Sequence, residues 1–178
     1  DLGLRYGGRA GDAINYRIFA KRHENFESSD GSDDGSRRTQ IGFRMDWDAS
    51  AQDRVMLQGD AHYGSISRGA DPSEAVYGYD LLARWRRETA SGSTIQLQAY
   101  YDHSAREIGH DGGRFALDTY DVEGQYSFQT GPHALVLGGG ARISSYEVEN
   151  IPGLLFVPDR RRLYLANIFA QDSIALTP

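Results

Sequence analysis

The chain has 178 residues, a formal net charge of −6, 39% hydrophobic residues and no cysteine. That length suits one domain, the absence of cysteine excludes a disulfide framework, a zinc–thiolate site or a Cys nucleophile, and the mild acidity speaks against a nucleic-acid groove. No apolar run approaches the ~18 residues of a membrane helix, but a transmembrane β-barrel remains open because only alternate strand residues need to be apolar.

Taken in order, the chain reads as strands. A first run, Asp1 to Gly7, meets the glycine-rich turn Gly8 to Gly11. The second, Asp12 to about Glu24, sets Ile14, Tyr16, Ile18 and Ala20 against Asn15, Arg17 and Lys21, with Phe19 breaking the polar side. A polar loop from Asn25 to Arg37 follows. Runs three (Arg38 to Asp48) and four (Arg54 to Ser65) alternate in the same way around a turn at Ala49 to Asp53. A loop from Ile66 to Val76 leads to the clearest hairpin, Tyr77 to Asp102. There Tyr77, Tyr79, Leu81, Ala83 and Trp85 face one way, joined by Ile95, Leu97, Ala99 and Tyr101 across a turn around Gly92. A polar loop carrying His103, Glu107, His110 and Asp111 precedes the seventh run, Phe115 to Phe128. The eighth holds Leu135 to Ile143, a loop spans Glu147 to Arg160, and the ninth runs from Arg161 to Leu176. Period-two alternation over such lengths marks strands with one apolar and one polar face. No stretch carries a capped helical repeat.

The connections alternate short and long. Short turns fall near Gly8, Ser50, Ser91 and Gly131, and longer loops near Gly31, Asp71, Asp111 and Gly153. This predicts an all-β, antiparallel up-and-down meander of about nine strands, with tight turns at one end and loops at the other, as in an outer-membrane barrel. On the apolar parity, Trp47, Trp85, Tyr126 and Phe128 lie beside short turns, while Tyr63, Tyr77, Tyr79, Tyr101 and Tyr120 lie beside long loops. Small or aliphatic residues sit between them. Two aromatic girdles around an apolar band are the pattern of two membrane interfaces. A soluble barrel or sandwich has the same alternation with inside and outside exchanged. The aromatic ends and small middle of the apolar face favour lipid, since a core places large residues at its centre.

The last run, Leu165 to Pro178 (LANIFAQDSIALTP), resembles a recurrent strand of the TonB-dependent outer-membrane receptors, in which Phe-x-Gln-Asp precedes a hydrophobic residue and Leu-Thr. Arg5-Tyr6-Gly7-Gly8 followed by Gly11-Asp12 and Tyr16-Arg17 is similar to an early hairpin of that family, and Leu97 to Asp102 to a middle strand. The resemblance spans residues 1–178 as part of one β-barrel domain. It implies a parent barrel of about 22 strands plugged by a separate domain, in the bacterial outer membrane, taking up a scarce nutrient chelate such as a ferric siderophore or cobalamin. The partners it implies are the TonB complex, reached through a plug region absent from this sequence, and outer-membrane lipid with lipopolysaccharide. The chain starts within a strand-like run without an initiator Met, so it is expected to be a piece of a longer protein. Its two open edges are sticky, and are expected to pair with another copy or to close into a smaller barrel. Alternative readings are a passive porin or adhesin-like barrel and a soluble ligand-carrying barrel.

No cofactor or metal site is expected: loop histidines and carboxylates are ordinarily solvated. No enzyme is expected either, since Asp102-His103 and His110-Asp111 have no accompanying nucleophile motif. Residues able to stack on or pair with an anionic ligand from loops or lumen are His23, Phe26, Arg68, Tyr100, His103, Arg106 and Tyr146. Gly138-Gly139-Gly140 within a strand suggests bending or close packing against the plug. Arg160, Arg161 and Arg162, where a loop re-enters a strand, suit either an ordinary charged strand end or the phosphates of lipopolysaccharide.

Overall fold

The computed structural model describes residues 1–25, 35–68, 71–109, 112–153 and 155–175. They form one open antiparallel sheet in simple sequential order, with strands β1 (Leu2–Ala10), β2 (Ile14–Asn25), β3 (Ser36–Asp48), β4 (Asp53–Arg68), β5 (Asp71–Glu88), β6 (Thr94–Ile108), β7 (Arg114–Thr130), β8 (His133–Glu149) and β9 (Arg160–Ile174). The expected nine-stranded meander is present. Three of the tight turns carry a left-handed glycine, Gly11, Gly92 and Gly131 (φ 63°, 79° and 57°), a conformation other residues adopt only at a cost.

The strands reach further at the loop end than alternation alone indicates. β4 ends at Arg68 and β5 already begins at Asp71, so most of the expected 66–76 loop is paired strand; β6 continues to Ile108, taking His103 out of its expected loop. The extra rungs are held by side chains across strands. Arg106 on β6 pairs with Glu74 on β5. The Tyr77 hydroxyl donates to Glu107 Oε1 (2.9 Å) and accepts from Arg114 Nη2 (3.1 Å) on β7. Such pairs prolong a ladder without any apolar repeat.

Register places every predicted apolar residue on one face. Ile18, Phe43 and Gly59 lie side by side, followed by Leu81 and Tyr101, and Val122 continues the face through Ala99 and Ala141. This face is the more exposed one. Ile41 is 57% exposed, Leu97 49% and Val122 58%, whereas their polar neighbours Gln40, Gly42, Gln96, Gln98, Asp121 and Glu123 are only half-buried or better. Side chains on the inner side of a curved sheet crowd together, so the polar face is the inner one. Among the described residues, the buried hydrophobics are Ala105, Ala116 and Val148, and no large side chain is fully buried. A soluble sandwich or closed soluble barrel needs an apolar core, and none is built here. From Tyr77 to Trp85 the apolar stretch of β5 covers nine residues, matching the ~9–11 that a tilted strand needs to cross a bilayer.

Glycines on the inner face make room for aromatic neighbours. A Cβ on Gly42 would stand 2.6 Å from the Phe19 ring, and one on Gly138 would stand 2.3 Å from Phe169 Cζ. In both cases ring and glycine are direct cross-strand partners. This accounts for Phe19 on the polar side: its ring covers backbone that Gly42 leaves bare, the pairing known as aromatic rescue. Gly138 is packed in the same way against Phe169 of the neighbouring strand.

The sheet does not close. β1 and β9 make no contact, and all described residues of β9 are exposed. The expected closure into a smaller barrel is therefore overturned: the sheet runs in one sequential arc, and nothing returns its last strand to its first. Both edges stand unpaired in the single chain, and the other expectation, pairing with another copy, is left as the way to satisfy them.

Leu97 tests the assignment of the outer face. With the outer face in lipid, Leu97→Arg costs about 2–4 kcal/mol, read as a lowered urea midpoint for loss of heat-modifiable migration. A change within about 0.5 kcal/mol, usual for a water-exposed site, would assign the face to water. A second test lies beyond the tryptophan row, outside the apolar band. The Asp53 carboxylate accepts from Ser50 Oγ (2.7 Å) and Trp85 Nε1 (3.0 Å), with Arg87 at 3.7 Å. These contacts, the serine hydroxyl foremost, hold its pKa below the ordinary carboxylate value. A depressed carboxylate contributes stability that is fully present above the unfolded value of about 3.9 and lost as pH falls through the folded one. Asp53→Asn thus reduces the stability difference between neutral and strongly acidic pH, measured as urea midpoints across a pH series.

Candidate functional site

The inner face is a polar wall whose charges are sorted by strand. Arg5, Arg17, Lys21 and Arg44 occupy β1 to β3. Asp60, Asp80 and Asp102 stand directly opposite one another on β4, β5 and β6. Like charges in direct cross-strand opposition disfavour the sheet, so this row is not explained by folding of the strands alone. Toward β9 the signs are again matched: Arg142 Nε donates to Asp121 Oδ2 at 2.8 Å. Nearer the short turns, Arg84 donates twice to Gln98 Oε1 (2.9 and 2.6 Å), and Arg44 grips the Asp46 carboxylate with two bonds of 2.8 Å. Between the basic and acidic strands, Arg5, Arg17, Phe19, Lys21, Gln58 and Asp60 border a shared recess. The Nε of Arg17 is buried there without a hydrogen-bond partner.

The residues proposed from sequence as ligand contacts do not converge. Tyr100 is half-buried in mid-strand on the inner face, between Leu82 and Asp121. His23 shares that parity on β2 and pairs with Asp1. Arg106 is committed to Glu74, and the Tyr146 hydroxyl donates to the Pro158 carbonyl at 3.2 Å. Arg68 is placed only as the last residue of β4, and Phe26 lies outside the described residues, as does His110. His103 belongs elsewhere. It opposes Tyr79 and Asp118 in the ladder, on the outer, apolar face. Its strand continues past Asp102, and parity then turns it away from the lumen. Arg5, Arg17 and Lys21, absent from the sequence-based set, become neighbours only through register; shared parity across the first hairpin was the available signal.

The aromatics expected at lipid interfaces are cross-strand neighbours in the ladder. Trp47 and Trp85 flank Val55, Tyr63 opposes Tyr77, and Tyr101 opposes Tyr120. His103 stacks on Tyr79 with ring centroids 5.0 Å apart, and Tyr101 on Tyr120 at 4.7 Å. The Asp118 carboxylate organises the loop-side row, accepting from Tyr101 Oη and His103 Nδ1, each at 2.8 Å. Among the described residues no group of three histidines or carboxylates has the arrangement to hold a metal ion.

No protein-family model matches the chain, and no curated protein matches it. Solved structures do. The siderophore receptor PirA from Pseudomonas aeruginosa aligns with a TM-score of 0.76 at 17% identity, over 99% of this chain and 30% of that one. The ferric citrate transporter FecA, in its unliganded form, aligns with a TM-score of 0.61 at 15% identity, over 92% of this chain and 27% of that one. The fold is therefore that of a section of such a receptor barrel, and the chain spans less than a third of the length of either protein. This is the fold that the sequence resemblance to TonB-dependent receptors implies.

Asp118 offers a check on the outer network. Asp118→Ala leaves Tyr101 and His103 without their acceptor and lowers stability by about 1–3 kcal/mol, whereas Asp118→Asn, which retains an acceptor oxygen, loses less. Equal urea midpoints for both variants and the unmodified protein would show that the network contributes nothing.

Proposed function

We propose that this chain is part of the barrel wall of a TonB-dependent outer-membrane receptor that actively imports a nutrient chelate, a ferric siderophore being the leading candidate. The observation that carries the reading is the inverted sheet: an exposed apolar outer face bounded by aromatic rows, and a half-buried inner face charged on nearly every strand. An outer-membrane barrel has this arrangement. The family resemblance and the fold shared with a siderophore receptor and a ferric citrate transporter add the class of cargo.

Within that reading the inner face meets whatever fills the lumen. The adjacent carboxylates of Asp60, Asp80 and Asp102 call for cationic groups opposite them, and the Arg5–Arg17–Lys21 recess for anionic ones. A plug domain, through which the TonB complex acts, supplies a surface of that kind. Tyr100, Arg106, Tyr146 and His23 line the same side and stay as proposed contacts to plug or chelate, with His103 assigned to the lipid interface.

The test is energised uptake. Cells lacking the gene that encodes this chain are supplied with single iron-labelled siderophores, ferric citrate or labelled cobalamin under limitation. Accumulation of at least one chelate is expected to disappear with the gene and also with TonB. Uptake that persists without TonB would favour the passive-channel reading and overturn the proposed one.

A further inference from the structure

The outer face at the short-turn end of β4 and β5 holds a cation and an anion side by side. Asp53 stands opposite Arg87, and the row continues through Ile95 and Tyr126. The next row toward the middle of the strands runs Trp47, Val55, Trp85 and Leu97. Arg87 therefore shares the parity of Trp85 and lies one row further out, ~6.6 Å along the strand. Tryptophan marks the headgroup level of a bilayer, so this charged pair stands where lipid phosphates stand. At this row β5 is paired with β4 on one side and β6 on the other, so the exposure of Arg87 does not come from a bare sheet edge.

The two charges are adjacent but not closed on each other. On the inner parity, Arg86 closes on Glu88 at 3.3 Å. Arg87 Nη1 stays 3.7 Å from Asp53 Oδ1, beyond hydrogen-bond length, and its Nη2 reaches Gln52 Oε1 only at 3.5 Å. The Asp53 carboxylate is turned instead to Ser50 Oγ and Trp85 Nε1, and its two oxygens retain further acceptor sites. Arg87 is 45% exposed and Asp53 21%. An open guanidinium fork beside a carboxylate with spare lone pairs matches a zwitterion. A phosphate fits the guanidinium in a two-bond fork, and a primary ammonium donates to the carboxylate. The apolar surface of Ile95 and Leu97, next along the face, suits the chains of a lipid that carries both groups.

We propose that Arg87 and Asp53 form a docking site on the outer face for the headgroup of a phospholipid bearing a phosphate and a primary ammonium, as phosphatidylethanolamine does. Arg87 takes the phosphate and Asp53 the ammonium. The proposal rests on the outer-membrane reading above. Charge complementarity fixes the occupant: a purely anionic headgroup meets Asp53 without a compensating cation, and a free phosphate makes no use of the apolar surface beside the pair.

The experiment uses the full-length protein, extracted from outer membranes in mild detergent and freed of lipid. It is titrated with phosphatidylethanolamine, phosphatidylcholine, phosphatidylglycerol or inorganic phosphate, with adducts read by native mass spectrometry. Phosphatidylethanolamine is expected to bind most tightly, because the methylated ammonium of phosphatidylcholine cannot donate to Asp53 and phosphatidylglycerol has no ammonium. Arg87→Gln should weaken phosphatidylethanolamine binding by about tenfold, the equivalent of ~1.4 kcal/mol. Asp53→Asn, which keeps an acceptor for Ser50 and Trp85, should erase the preference among the three lipids, and Arg86→Gln, on the other face, should leave binding unchanged. Heat-modifiable migration verifies that each variant folds, and Arg87→Gln decides alone if Asp53→Asn does not. Unchanged phosphatidylethanolamine binding in folded Arg87→Gln overturns the proposal. So do equal binding of the three lipids by the unmodified protein, an equal loss in Arg86→Gln, or full competition by inorganic phosphate at equal concentration. Fractionation of the unmodified protein away from the outer membrane would instead sink the underlying reading, so the two failures are separable.

Discussion

The structure depends on an apolar surface that the chain has nothing to cover with. Nine strands present their aliphatic and aromatic side chains on one face, and among the described residues no second layer packs against it. In water each exposed large apolar side chain forfeits about 1.5–3 kcal/mol relative to burial, and over this many strands no ladder of backbone bonds offsets the loss, since those bonds exchange with bonds to water. In a bilayer the balance reverses. The apolar face is transferred out of water, and the backbone is already satisfied strand to strand, the condition that lipid imposes on any spanning segment. The sheet is thus built for a low-dielectric solvent on one side.

The side-chain chemistry of each face follows from that division. On the outer face, polar groups occur at the ends of the strands, where Asp118 gathers Tyr101 and His103 at one rim and Asp53 holds Trp85 at the other. Between the rims the residues are small or apolar, with an aromatic, Phe43, among them. The inner face tolerates charge throughout, but in the middle of the wall its partners are laid out sideways, strand to strand, and Asp60, Asp80 and Asp102 are set side by side without an alternating cation. Two of the inward-pointing rings, Phe19 and Phe169, are matched to Gly42 and Gly138 and close gaps in the wall.

What could be read from sequence divides along the same physical line. Parity was legible because it is a local, period-two property: Leu81, Ala83, Leu97 and Ala99 announce their face one strand at a time. The strand count followed, as did turns marked by residues such as Gly92 and Gly131, whereas the first turn falls at Gly11 to Ala13 and not at Gly8 to Gly11, because Gly8, Arg9 and Ala10 stay paired with β2. The loop-end boundaries were not legible, because the rungs from Asp71 to Val76 and from His103 to Ile108 are held by pairs such as Glu74 with Arg106, which only a known register brings together. The same limit applies to the site. His103 reads as a loop histidine until its strand is extended, after which parity alone turns it toward Tyr79 and the outer face. The Arg5–Arg17–Lys21 recess is invisible until β1 and β2 are aligned.

The inner and outer faces also differ in what completes them. The outer face needs only a solvent, and any bilayer of the right thickness supplies one. The inner face needs specific charges in specific places, because a buried guanidinium nitrogen such as Arg17 Nε and a row of neighbouring carboxylates are not relieved by hydrocarbon or by a featureless channel wall. Bare β1 and β9 edges add a third requirement, a run of backbone partners on either side. The proposed reading, a wall segment of a receptor barrel, would meet all three: lipid outside, strands at both edges and a charged, shaped body within. A nine-stranded sheet meeting only one of these needs would retain the cost of the other two.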